Sequence, residues 1–413
     1  MGGIYDDLED LGVRFSLGEN YLEHIEQEII FKTPGMRYDI PELAAAKQRG
    51  SIITSEMEVF FDLCPAPIIA VTGSDGKTTT TTLIHKILVQ EGHTCWLGGN
   101  IGTPLLSQIE NIEENHKVVL ELSSFQLHTM KSSPTVAVVT NITPNHLDIH
   151  KSMEEYIAAK KNIFLHQLKT GKLIINFDND ITKEFEKEAP GTVIMFSRKN
   201  QIPRGVFISD NSIYADLDGS TQKIMDVTDI ILPGTHNVEN YMAAIGAVLG
   251  LASAESIRKV ATGFTGVEHR IEFVRELNGI KFYNSSIDSS PNRTMATLAT
   301  FNQKVILIAG GKDKNIPYDA IGKALVGKVK HLLLIGPTGV KIQESLENEI
   351  KMTGRGKEIP VFECSTYEEV VRTAYSNAAA GDIILLSPAS TSFDMFKNFE
   401  ERGNVYKEIV KGL

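Results

Sequence analysis

Residues 68 to 79 read Ile68-Ile69-Ala70-Val71-Thr72-Gly73-Ser74-Asp75-Gly76-Lys77-Thr78-Thr79, and the order of residue types in this stretch decides the fold. The first five residues form an apolar strand. A helix follows from about Thr78 to Gln90, with Leu83, Ile84, Ile87 and Leu88 on one face and Gly92 just past its end. Between them, glycines let backbone N–H groups curl around a phosphate, and the helix N-terminus adds a favourable dipole. Lys77 reaches terminal phosphates from this position, and the Thr78 hydroxyl ligates Mg²⁺. Val71 stands where the general spacing has a glycine, so the loop is a shortened variant. Gly73, Ser74, Asp75, Gly76, Lys77, Thr78 and Thr79 are therefore expected to bind a nucleotide phosphate chain.

Outward from this loop, short β-rich runs alternate with helical patterns, which predicts α/β layers with mostly parallel sheets. Upstream, a strand at Ile29–Phe31, a turn at Thr33-Pro34-Gly35, a helix through Glu42–Lys47 and a strand at Ser51–Ile53 form a first block. Downstream, strands are expected at Val118–Leu122, Val136–Thr140 and Leu173–Asn176, a hairpin turning at Asp210-Asn211, and a helix from Asn237 to Leu249. A third block opens near Glu268. Ile271–Arg275 and Ile280–Tyr283 flank Asn278-Gly279, a type I′ hairpin signal. Strands at Val305–Ile308, Leu332–Ile335 and Ile383–Leu386 then alternate with helices, a doubly wound pattern of about 145 residues.

The 413 residues are enough for two to four domains, and 42% hydrophobic with 23% charged residues is an ordinary globular balance. A net charge of −11 argues against non-specific binding to nucleic acid or an anionic membrane. The three cysteines, Cys64, Cys95 and Cys364, are widely spaced with no CxxC pair, which argues against a disulfide framework or a structural zinc site. The acidic N-terminus lacks the apolar core of a signal peptide, and no stretch approaches the roughly 20 apolar residues of a membrane span. A cytoplasmic, soluble protein is expected.

Further candidates stand at the C-terminal ends of strands, where open α/β sheets face their ligands. Glu121, in Glu121-Leu122-Ser123-Ser124-Phe125, is placed to hold Mg²⁺ or to be an exposed strand-end charge. His146-x-Asp148-x-His150 offers two imidazoles and a carboxylate, but no other histidine supplies a matching spacing for zinc. His146 is kept as a crevice-lining group. Lys160 reads, taken alone, as a solvated helix lysine. Asn237 and Asn240 open a helix and read a base or ribose, or cap it; Arg270 swings onto phosphate or lies on the surface. Gly310-Gly311-Lys312-Asp313-Lys314 and Ser387-Pro388-Ala389-Ser390-Thr391-Ser392 both follow strands, so lysine and hydroxyl groups converge there on a small carboxylate, or form surface turns.

Taken in order, these segments resemble the Mur ligase family over nearly all of residues 28–413. The carriers are TGSDGKTTT (72–80), GGNIGTPLL (98–106), ELSSFQL (121–127), NITPNHLD (141–148), YIAAK (156–160), HNVEN (236–240), GVEHRIE (266–272), GGKDK (310–314) and SPASTSFDMFKNFEERG (387–403). The last resembles the branch of the family that adds D-glutamate. The resemblance implies three domains: an incomplete Rossmann-like N-terminal domain over 1–64, a central P-loop-type ATPase α/β domain over 65–267, and a C-terminal Rossmann-like doubly wound domain over 268–413. It implies an acyl-phosphate mechanism with ATP, UDP-N-acetylmuramoyl-L-alanine and D-glutamate as substrates, in a monomer of peptidoglycan synthesis. Lys77, Glu121, His146 and Lys160 are then the catalytic group. Thr78 and Glu121 serve one Mg²⁺ and His146 a second, with Lys160 carried as a carbamate. Asn237, Asn240, Arg270 and Asp288 fall to ATP, Asn100 to the muramoyl substrate, and Lys314, Ser392, Phe393 and Phe399 to D-glutamate.

Two departures from the family pattern stand out. The opening dinucleotide-fold strand and glycine-rich loop are expected upstream of Met1, and Ser285-Ser286-Ile287 stands where Asp-Ser-Lys is expected, with Asp288 as a substitute carboxylate. The alternatives these leave are a non-catalytic nucleotide-binding protein and a folylpolyglutamate-synthase-like ligase.

Overall fold

The computed structural model describes residues 8–18, 20–23, 25–144, 150–217, 219–232, 234–314 and 316–413. The chain folds as two compact units that divide between Gly263 and Phe264.

In the first unit, β1 (Ile29–Phe31) and β2 (Ile52–Thr54) form a small parallel sheet. The helix Pro41–Gln48 makes the crossover, entered through a proline that has no N–H to leave unpaired. Its Leu43 and Ala46 are buried. A second helix, Glu56–Leu63, is capped by the Ser55 hydroxyl, which accepts from the Glu58 N–H.

The main sheet has nine strands: β3 (Ile68–Thr72), β4 (Cys95–Gly99), β5 (Lys117–Glu121), β6 (Val136–Val139), β7 (Lys172–Asn176), β8 (Thr192–Ser197), β9 (Gly205–Ser209), β10 (Ser212–Leu217) and β11 (Ser220–Asp226). Their spatial order is β11-β10-β9-β8-β7-β6-β3-β5-β4. All neighbours from β4 through β9 run parallel, and β10 and β11 turn back antiparallel. β3 is buried throughout and lies between β5 and β6, where the strand order reverses. That reversal opens a crevice at the carboxyl ends of these three strands. One face packs Ala70, Leu120, Val139, Tyr156 and Phe164 into a core. The helices Lys77–Glu91 and Thr235–Val248 contact each other and the sheet, bringing Leu83, Ile84, Ile87, Tyr241 and Met242 to full burial. Removing such a side chain costs about 2–5 kcal/mol, so the loop that opens Lys77–Glu91 rests on a stiff support.

Within this sheet, sequence reasoning did not anticipate β4, β8 or β11. β4 and β11 are the two edge strands, and their residues are largely half-buried or exposed, so no apolar run marks them. β8 begins exposed and becomes buried only towards its end.

The second unit holds a six-stranded sheet: β12 (Glu272–Leu277), β13 (Ile280–Asn284), β14 (Val305–Ala309), β15 (Val329–Ile335), β16 (Val361–Cys364) and β17 (Ile383–Leu386). The order is β12-β13-β17-β14-β15-β16, parallel except for the β12–β13 hairpin. Asn278 (φ 52°) and Gly279 (φ 75°) make the expected type I′ turn. Leu298, Ile321, Leu325 and Ile342 cover one face, and Val370, Val371, Tyr406 and Val410 cover the other. The sheet is therefore doubly wound. All three cysteines are free thiols, and among the described residues no helix is long and apolar enough to cross a membrane.

Candidate active site

The loop after β3 is shaped by contacts that only glycine tolerates. A Cβ on Gly73 (φ 150°) would lie 2.0 Å from Thr140 Oγ1, and one on Gly76 (φ 77°) would lie 2.2 Å from Asn240 Oδ1. Thr140 and Asn141, just past β6, fasten the loop from one side. Thr140 Oγ1 donates to Asp75 O at 2.6 Å, Asn141 Oδ1 accepts from the Asp75 N–H at 3.0 Å, and Asn141 O accepts from the Ser74 N–H at 2.9 Å. Asn240 packs against Gly76 from the other side, while its Nδ2 donates to Asn237 Oδ1 at 3.1 Å and its Oδ1 accepts from Thr80 at 3.4 Å. Of the two asparagines expected at a nucleotide, both are buried; Asn240 lies against the phosphate loop, and Asn237 is bonded to Asn240.

Lys77 folds over this loop, its Nζ donating to Gly73 O at 3.0 Å and Ser74 O at 2.9 Å. Lys160 approaches from the helix Met153–Leu165 and donates to the same Gly73 O at 2.9 Å and to Thr72 Oγ1 at 3.1 Å. It is 2% exposed, which overturns the reading of a solvated helix lysine. Burial, and then the positive charge of Lys77, holds its ammonium well below the ordinary lysine range; Glu121 and Asp75 pull the other way. One turn earlier on the same helix face, the Tyr156 hydroxyl meets Ser74 Oγ at 3.0 Å, and its ring lies 4.9 Å from Lys160 Nζ. That i, i+4 spacing of Tyr156 and Lys160 was the available sequence signal for a shared inward face.

Glu121 ends β5 beside the loop and is 2% exposed. Its Oε1 accepts from Asn100 Nδ2 at 2.7 Å, while the Asn100 N–H donates to Glu121 O at 2.8 Å. Its Oε2 is buried without a hydrogen-bond partner. A carboxylate oxygen left in that state beside a phosphate loop fits a hard divalent cation, which prefers such oxygens. Thr78 is buried at the start of the adjoining helix. His146 lies outside the described residues. Neighbouring His150 is buried, with Nε2 2.9 Å from Ser124 Oγ and its ring stacked on Phe125. It lines a small cleft with Lys32, Arg37 and His128. Arg37 there bonds Glu155 at 3.0 Å and forks onto Asp39.

In the second unit, the loops after β14 and β17 are stitched together. Lys312 N donates to Thr391 O at 2.9 Å, and Thr391 N returns to Lys312 O at 3.2 Å. The structure brings Lys314, Ser392 and Phe393 onto these two loops, with Ser392 buried and Phe393 exposed. Phe399 is half-buried at the start of the last helix. Arg402, which sequence reasoning missed, is 1% exposed and bolts the region together. Its guanidinium donates to Ser286 Oγ, Ser286 O and Ser390 O at 2.9, 2.7 and 3.0 Å. Asp288, expected at the nucleotide, is 4% exposed and accepts from the Thr297 and Ser387 hydroxyls, both at 2.7 Å. Its carboxylate is engaged in the interior of this unit, a structural placement that its sequence position does not reveal. Arg270 is exposed near the start of the unit.

A phosphate-shaped loop at the reversal of a parallel sheet, followed in the chain by a second doubly wound unit, defines a nucleotide-dependent enzyme of the P-loop α/β class. Residues 71–248 match the Mur ligase middle domain, and residues 269–390 match the Mur ligase glutamate ligase domain. The chain is 59% identical over 410 residues to the UDP-N-acetylmuramoylalanine–D-glutamate ligase of Acetivibrio thermocellus, covering 99% of this chain and 88% of that protein. The corresponding ligase of Ruminiclostridium cellulolyticum is 57% identical over 410 residues, with the same coverage of 99% and 88%. Among solved structures, MurF from Acinetobacter baumannii aligns at a TM-score of 0.59 and 17% identity, covering 92% of this chain and 90% of that one. UDP-N-acetylmuramate-alanine ligase from Thermotoga maritima aligns at 0.56 and 19%, covering 98% and 90%. The chain belongs to the Mur ligase family.

Proposed function

We propose that this chain joins D-glutamate to UDP-N-acetylmuramoyl-L-alanine at the expense of ATP, a step of peptidoglycan synthesis. The observation that carries this reading is the 59% identity to the Acetivibrio thermocellus ligase across 99% of the chain. The phosphate loop, with Lys77, Lys160 and Glu121 beside it, supports this reading.

A carboxylate is a poor electrophile because its leaving group would be oxide. Its oxygen attacks the γ-phosphorus of ATP, ADP departs, and an acyl phosphate remains. The amine of D-glutamate then attacks the acyl carbon, loses a proton, and the tetrahedral intermediate expels inorganic phosphate. Such chemistry asks mainly for positioning and for neutralisation of phosphate charge. In this reading Gly73 to Thr79 cradle the β- and γ-phosphates, and Lys77 leaves the loop carbonyls for phosphate oxygens. Asn237 and Asn240 hold the loop against the nucleotide, with Arg270 a further phosphate contact. Asn100 orients both Glu121 and the muramoyl substrate, and the Lys32–Arg37 cleft receives part of that substrate.

Thr78 and Glu121 would hold Mg²⁺, with His146 and Lys160 supporting a second ion. When bound, Mg²⁺ neutralises phosphate oxygens as charge shifts between them. Carbamate formation needs the neutral amine, which adds CO₂ and releases a proton, and the burial that lowers the proton affinity of Lys160 favours that form. A carbamate on Lys160 would be an anion and so would support Mg²⁺ where an ammonium would repel it. Lys314, Ser392, Phe393 and Phe399 form the D-glutamate site. Residues 1–64, 65–267 and 268–413 act as the UDP-substrate, ATP and amino-acid domains of a cytoplasmic monomer.

The test is phosphate release from ATP by this chain with UDP-N-acetylmuramoyl-L-alanine, with D-glutamate added or withheld. Release that depends on D-glutamate, and that Lys77→Ala lowers by about 10³-fold or more, is the expected result. Turnover with a folate acceptor instead would transfer the assignment to a folylpolyglutamate-type ligase, and ATP binding without turnover would make the protein non-catalytic.

A further inference from the structure

Among the described residues of the second unit, Lys314 and Arg293 are neighbouring cations with no carboxylate in a hydrogen bond or ion pair to either. Lys314, on the loop after β14, reaches Ser289 Oγ at 3.3 Å. Arg293, in the first turn of the helix Pro291–Thr300, extends Nη1 to the carbonyl of Ile287 at 3.3 Å. Both side chains therefore reach the short segment 287–289. The ion pairs of this unit, among the described residues, involve other side chains. Partial burial, followed by the charges of Arg293 and Arg402, holds Lys314 below the usual lysine range, and no carboxylate offsets them. Ile287 adds no charge of its own.

Two neighbouring cations held without a counter-ion match a ligand with two negative groups. An ammonium is a compact point charge, whereas a guanidinium offers a flat fork for one carboxylate. We infer that Arg293 and Lys314 each bind one carboxylate of a dicarboxylic amino acid, and that Arg293 sets the preference for a diacid over its monoamide. This rests on the proposed reading of the second unit as the amino-acid site, and it adds a residue to that site.

Arg293 is exposed, so its replacement leaves the core intact. In the full chain, Arg293→Ala is expected to raise the KM for D-glutamate about tenfold or more, with kcat and the KM for ATP within about threefold. Arg293→Lys should recover most of that loss, and the discrimination between D-glutamate and D-glutamine should narrow in Arg293→Ala by the same factor. An unchanged KM and discrimination would overturn the inference while leaving the ligase reading intact. If the wild-type chain shows no turnover with D-glutamate, the ligase reading fails and glutarate binding, followed by saturation-transfer NMR, decides. Glutarate binding that Arg293→Ala abolishes upholds the diacid site; binding that is absent, or indifferent to Arg293, removes it.

Discussion

Lys77 and Lys160 bring their ammonium groups to one acceptor, the carbonyl of Gly73, at 3.0 and 2.9 Å. Two positive charges sharing a carbonyl repel, and Lys160, being the buried one, yields its proton more readily. The unfolded chain binds that proton more tightly. Wild-type stability should therefore rise with pH from the folded-state value of Lys160 up to the ordinary lysine value of about 10.5. In Lys160→Met this slope disappears. Thr72 keeps its bond to Leu122 O and Gly73 O keeps Lys77, so few partners are orphaned. The methionine variant should be inactive yet more stable than wild type at pH 7, with the advantage shrinking by pH 10. Denaturant melts at the two pH values in CO₂-free buffer measure this; an advantage that grows with pH would contradict it.

Gly76 and Asn240 should behave as one unit. Gly76→Ala forces a side chain into φ 77° and drives its methyl against Asn240 Oδ1, at an expected cost of about 1–3 kcal/mol. Asn240→Ala removes the obstacle but not the backbone strain. The double variant should accordingly be more stable than the sum of the two losses by about 0.5 kcal/mol or more. Strict additivity in chemical denaturation would show that the asparagine does not press on the loop.

Why some of this could be read from sequence and some not follows from where each residue sits. β3, the phosphate loop and its helix were legible because apolar run, glycine spacing and helical period all fall within Ile68–Leu88. The second unit's β12–β13 hairpin was legible because Asn278-Gly279 determines its own turn. For Lys160 its own segment offered only the spacing to Tyr156, since its burial depends on Thr72 and Gly73, almost ninety positions away. Arg402 was hidden for the same reason: its partners, Ser286 and Ser390, lie on other loops. Asp288 looked like an available carboxylate because nothing local announces that Thr297 and Ser387 engage it. Family resemblance supplied a role for Lys160 but none for Arg402 or Arg293.

The buried, unpartnered Oε2 of Glu121 gives a third expectation. In Glu121→Gln the amide oxygen can keep the bond from Asn100, which directs the NH₂ group to the place of Oε2. An amide donor there opposes a cation. The Mg²⁺ concentration for half-maximal phosphate release should rise about tenfold or more, while the thermal midpoint stays within a few degrees because no bonded partner is lost. A variant with an unchanged Mg²⁺ requirement would take Glu121 out of the metal site.

Arg402 gives the last expectation, and it concerns the second unit alone. Burial depresses its proton affinity, yet its guanidinium still serves Ser286 and Ser390 at once. Arg402→Met fills the same volume with apolar atoms but leaves the Ser286 and Ser390 carbonyls without those donors, at about 3 kcal/mol. Arg402→Lys should recover less than half, because one ammonium cannot span the fork. Since every partner lies between Phe264 and Leu413, hydrogen exchange should quicken in peptides of that unit and stay unchanged in peptides of the first. Exchange that quickens equally in both would mean that the two units unfold together and that Arg402 stabilises the chain as a whole.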